Sequence, residues 1–239
     1  AAVLRGGARA WRVERRDGDA TVYRTGAGVP LVVARAPGAI AHLGWYVHGG
    51  ATAERDDNAG ITSLMVRTAL RGTARRSAKQ LAEDVEFAGG VVGGGAGADG
   101  FQWTIAVPVD RLDAAAELLG DIVQRPAFRD DAVQSERAVA LADLAAIRDD
   151  MYRWPVRLAT EAAWGAHPYG RAVAGSEVSV GRLGAEALRE WMQRICISFA
   201  WRLEDITIRP EYMQWVIYVP AATPPSRCIR TVREHTSRQ

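Results

Sequence analysis

Residues 61–70 read Ile-Thr-Ser-Leu-Met-Val-Arg-Thr-Ala-Leu, and a single charge, Arg67, interrupts them. Ile61, Leu64, Met65 and Thr68 recur at helical spacing, Asp56-Asp57-Asn58 stands before them as a cap cluster, and Gly72-Thr73 follows as a stop. The pattern predicts a helix over about 58–71. A second stretch, 138–147, reads Ala-Val-Ala-Leu-Ala-Asp-Leu-Ala-Ala-Ile and also holds one charge, Asp143. Helices apolar nearly all round are expected to be buried. Burying an unpaired charge costs on the order of several kcal/mol, so each charge needs a partner. The simplest partner for each is the other, which predicts an Arg67–Asp143 ion pair between two packed helices. The alternative is that Arg67 reaches solvent along its own stem.

Strand signals flank the first of these helices. Runs at about 20–25 and 30–36 are split by Thr25-Gly26-Ala27-Gly28, a hairpin signal, and a third strand over 40–48 alternates Leu43, Trp45 and Val47. Ser77 is placed to cap a helix over 77–88 that Gly89-Gly90 ends. Residues 91–107 read as two strands with a glycine-rich join, in which Phe101, Trp103, Ile105 and Val107 alternate. Helices follow over about 110–125, over 130–150 with Asp130 as cap, over 153–165, and over 185–194. Strands, helices, strands and helices in that order predict an α+β fold, an antiparallel sheet covered by helices on one face. Three segments are expected: a weakly ordered leader at 1–19, an α/β domain at 20–195, and a divergent tail at 196–239. All 24 glycines lie at or before Gly184 and both cysteines after it. Tyr212–Val219 reads as a strand within that tail.

Composition narrows the function classes. Of 239 residues, 48% are hydrophobic and 24% charged, the mix of an ordinary globule rather than a disordered chain. No apolar run reaches the roughly 18 residues a membrane helix needs. A net charge of +2 gives no argument for nucleic acid. Cys196 and Cys228 have no zinc spacing, and a disulfide between them stays open. His42, His48, His167 and His235 are scattered without metal-ligand spacing and read as structural or surface residues. The run Gly93–Gly100 lacks a Gly-Lys-Ser/Thr ending, so it reads as close strand packing or a flexible turn rather than a phosphate loop. Glu86 and Glu136 read as solvated or ion-paired helix residues.

The ordered motifs carry a resemblance. His48-Gly49-Gly50-Ala51-Thr52-Ala53-Glu54, Ala59-Gly60-Ile61, Leu70-Arg71-Gly72-Thr73, Glu86-Phe87-Ala88-Gly89-Gly90, Pro126-Ala127-Phe128, Glu136-Arg137 and His167-Pro168-Tyr169-Gly170 stand in sequence over roughly 20–195. Together they resemble the M16 metallopeptidases, the insulinase, pitrilysin and mitochondrial processing peptidase family with its cytochrome bc1 core-protein relatives. Active members carry His-x-x-Glu-His, whose histidines bind zinc and whose glutamate activates water, and a later glutamate completes the ligands. Here the two histidine positions hold Ser63 and Arg67, the glutamate position Val66, and the third-ligand position Asp143.

Zinc catalysis needs three N, O or S donors and an open position for water. A serine hydroxyl is a poor ligand, a guanidinium has no lone pair to give, and valine accepts no proton. The resemblance therefore implies a member without catalytic residues or zinc, in which a guanidinium stands where the cation would be. It implies partners: a zinc-bearing subunit whose peptide chamber it shapes, or the second half unit, since the match resembles only the first half of a two-half unit. A structural core-protein-like role in a larger respiratory or photosynthetic assembly is the alternative, and an active peptidase with other ligands the least favoured. The implied setting is bacterial, in periplasm or cytoplasm, with association to a membrane complex left open.

Overall fold

The computed structural model describes residues 12–24 and 30–198, with side chains to residue 195. Cys228, His235, Tyr212–Val219 and the Thr25–Gly28 join lie outside the described residues. Among the described residues, six strands and seven α-helices follow one another as four strands, two helices, two strands and five helices. This is an α+β architecture with antiparallel pairing throughout.

Strands β1 (Arg12–Asp17), β2 (Ala20–Arg24) and β3 (Pro30–Ala34) form one sheet in that order. Residues 12–17 fall within the stretch expected as a weakly ordered leader, yet they pair with β2 from Arg12↔Arg24 to Asp17↔Ala20. Every β1 residue is exposed, and five of the six are charged, which suits an edge strand. Arg24 clips it by donating from Nε to Glu14 at 2.7 Å. The apolar run of β3 is buried at all five positions.

Strands β4 (Ile40–His48), β5 (Val91–Ala96) and β6 (Gly100–Pro108) form the second sheet, in the order β4-β6-β5. The register sets Trp45 against Trp103 and Leu43 against Ile105. Phe101, Trp103, Ile105 and Val107 are buried at every second position of β6, the strand period that gives the sheet its core face. Helices α1 (Ile61–Ala69), α2 (Ala78–Phe87) and α3 (Leu112–Gln124) pack on this sheet. Helix α4 (Asp130–Asp149) crosses α1 and α6 (Glu177–Arg182), α5 (Arg153–Trp164) follows α4, and α7 (Ala185–Ser198) also rests on α1.

The caps depart from expectation in an instructive way. Helix α1 begins at Ile61, three residues later than expected, because Gly60 adopts a left-handed φ of 90°. A Cβ there would also stand 2.6 Å from Ala174 O. The cluster Asp56-Asp57-Asn58 does not cap α1; Asn58 Oδ1 instead accepts from Arg55 N at 2.7 Å within its own turn. Asp130 lies in the first turn of α4 rather than at its cap, which is Arg129 with no side-chain bond. Ser77 does cap α2, in a capping box with Gln80.

The largest correction concerns burial. Helix α1 is buried nearly all round, with seven of nine residues inaccessible. The stretch 138–147 is not: only Leu144 among them is buried. An apolar helix face identifies a surface to be covered, and α4 turns much of its own outward.

Candidate functional site

Glu54 sets the position of α1 from outside the helix. Its carboxylate is buried and accepts from Gly60 N at 2.7 Å and from Thr62 N at 2.9 Å, satisfying two of the unpaired amides at the helix start. Burial pushes this carboxyl above its ordinary value, against the hydrogen bonds from Thr62 and Gly60. Trp191 of α7 donates from Nε1 to Thr62 Oγ1 at 3.0 Å, and Trp103 of β6 donates from Nε1 to Val66 O at 3.0 Å. Both indoles are buried and both bonds pin α1 at fixed depth.

Glycine brings α1 down onto β5. A Cβ on Gly94 would meet Val66 Cγ1 at 2.6 Å, so the missing side chain lets helix and strand touch. The glycine run thus serves close packing, one of the two readings open from sequence. Val66, at the general-base position of the resemblance, is buried in the core. Its side chain has no access to a ligand and no group that exchanges a proton.

The other face of α1 meets α4 through charge. Arg67 Nη1 donates to Asp143 Oδ2 at 2.8 Å, and Arg67 Nε donates to Glu136 Oε2 at 3.0 Å. Arg71, one turn on, donates from Nε to the other oxygen of Glu136. The side chain of Glu136 is 3% exposed, against 34% for Arg67 and 54% for Asp143. The structure therefore brings Arg67 and Asp143 together, but the deep member of the cluster is Glu136. The opposing charges and bonds of Asp143 and Glu136 outweigh desolvation and hold the Arg67 guanidinium above its ordinary pKa. Ser63 lies one turn before Arg67 and is half-buried.

These residues do not match the donor set a catalytic zinc requires. Arg67 offers hydrogens where a ligand offers a lone pair, and both nearby carboxylates already bind its guanidinium. Among the described residues, no group of three or more His, Cys, Asp or Glu is placed to hold a metal ion. His42 and His48 sit half-buried on β4, and His167 accepts from Tyr169 N at 3.2 Å within its own turn.

A second buried carboxylate escaped the sequence reading. Asp121 of α3 accepts from Thr73 Oγ1 at 3.0 Å, Arg76 Nη1 at 2.6 Å and Arg125 Nη1 at 3.0 Å. Burial raises its pKa, yet the bonds from Thr73, Arg125 and Arg76 together hold it below the ordinary value. It anchors the turn after α1, so both ends of that helix are tied by buried acids. No helix is long and apolar enough to cross a membrane among the described residues.

Comparison with known proteins places this geometry. The chain is 28% identical over 155 residues to the alpha subunit of mitochondrial-processing peptidase from Solanum tuberosum, covering 64% of this chain and 30% of that protein. It is 27% identical over 154 residues to human cytochrome b-c1 complex subunit 1, covering 63% and 31%. A solved structure of a peptidase M16 inactive domain from Pseudomonas fluorescens superposes with a TM-score of 0.68 at 16% identity, covering 83% of this chain and 46% of that one. The chain thus spans about a third of the length of these curated relatives. The family described as Insulinase (Peptidase family M16) matches residues 31–177, more than half of the chain. On that match, the chain belongs to peptidase family M16.

Proposed function

We propose that this chain is a non-catalytic M16 subunit or domain, one that pairs with a zinc-bearing partner and shapes that partner's peptide chamber. The observation that carries the reading is Arg67. A permanent cation at one ligand position, bonded to Glu136 and Asp143, repels Zn²⁺ and occupies the carboxylates that would attract it. The buried Val66 supports it, since the side chain at the general-base position accepts no proton. Partnership is supported by the relatives, a processing-peptidase subunit and a cytochrome b-c1 complex subunit. The latter favours a second reading, a structural subunit of a larger assembly that never meets a peptide.

The test is the zinc content of the purified chain after incubation with zinc and removal of excess. Near zero zinc per chain is expected, with no cleavage of an unstructured peptide. One tightly held zinc per chain would overturn the proposal. Peptide turnover that rises when the chain is added to a zinc-bearing M16 partner separates the first reading from the second.

A further inference from the structure

Helix α5 is amphipathic with its polar side turned inward. None of its twelve residues is buried. Trp154, Arg157 and Thr160 are the half-buried ones and mark the side that faces the protein. There Arg157 bonds Glu161 at 3.0 Å and lies over the Trp154 ring at 5.7 Å. The opposite side presents Met151, Tyr152, Val156 and Leu158, exposed by 76%, 77%, 66% and 46%, with Ala159 and Ala162 between them. Residues 156, 159 and 163 fall on one helical stripe and 155, 158 and 162 on the next, giving one broad face without a charge, and Met151 and Tyr152 stand in the turn that leads into it. A soluble helix of this pattern normally turns such a face to a core.

We propose that this face is a contact between two copies of the chain, α5 against α5 about a two-fold axis. An isologous contact sets a surface against itself, so charges on it would repel; this face has none. The four large side chains leave roughly 500 Å² of apolar surface open. A second copy supplies the same amount, which brings the total to roughly 1,000 Å², the lower bound for a weak, reversible specific contact. The two alanines leave room for helices to approach closely. The inference is independent of the metal question, because it uses none of Ser63, Val66, Arg67 or Asp143.

The test is the mass of the full chain by sedimentation equilibrium across a wide concentration range. A reversible rise from 25.9 kDa to twice that value is expected. Val156→Glu and Ala162→Glu each place a carboxylate in the contact and should weaken association on the order of 100-fold or more. Their circular dichroism should stay unchanged, because neither position is buried in the single chain. Amide exchange over 151–164 in the unaltered chain should slow by on the order of tenfold between dilute and concentrated samples. A 25.9 kDa species at every concentration overturns the proposal, whether the face is covered by the chain itself or by another protein. So does a dimer that both variants leave intact and in which exchange over 151–164 does not change with concentration.

Discussion

Replacing Glu136 by Gln should destabilise the protein far more than replacing Asp143 by Asn, although both acids bind the same guanidinium. The difference follows from depth. The Glu136 side chain is 3% exposed and receives Arg67 on one oxygen and Arg71 on the other. Removing a buried partner from such a cluster costs about 3–5 kcal/mol when the remaining charge stays buried. Arg67 and Arg71 are both partly solvated, so part of that cost is recovered as they turn to water, leaving about 2–3 kcal/mol. Asp143 is more than half exposed, so its loss belongs with surface pairs at about 0.2–1 kcal/mol. Urea unfolding of the purified chain, with equal slopes for each variant, measures both values. In a double-mutant cycle, Arg67→Met and Glu136→Gln should couple by about 1 kcal/mol or more, and Arg67→Met and Asp143→Asn by less. If Asp143→Asn cost as much as Glu136→Gln, the guanidinium would be held at the surface and the buried brace between α1 and α4 would not exist.

Two further outcomes are expected. Glu54 holds its proton more tightly folded than unfolded, so its contribution to stability is greatest below the ordinary carboxylate range and declines as pH rises through its raised value. Glu54→Gln should flatten that part of the stability-versus-pH curve, and an unchanged curve would show that Glu54 is not the group responsible. Gly94→Ala should cost about 1–3 kcal/mol, since the new methyl would stand 2.6 Å from Val66 Cγ1 and 3.0 Å from Trp103 Cδ1. Chemical denaturation should find Gly94→Ala/Val66→Ala more stable than Gly94→Ala alone; the reverse order would refute the contact between α1 and β5.

What the sequence made legible was isolation, and what it hid was context. Arg67 could be singled out because nine uncharged neighbours surround it in 61–70, and Asp143 for the same reason in 138–147. Glu136 sits in Asp-Asp-Ala-Val-Gln-Ser-Glu-Arg, where charge is ordinary and no residue marks the buried one. Glu54 and Asp121 were hidden likewise: Glu54 stands two residues before Asp56-Asp57-Asn58, the cluster to which the cap assignment fell. The strand and helix periods were readable because each follows from local geometry, as with the alternation through Phe101 and Trp103. Outward orientation is different in kind. The apolar runs of α1 and α4 look alike as strings, and α5 has the amphipathic pattern of a helix with a buried side. A period specifies that a face needs cover; the fold supplies that cover for α1, whereas among the described residues none buries α5. Burial of a helix is therefore a statement about two surfaces, of which one sequence stretch supplies only the first.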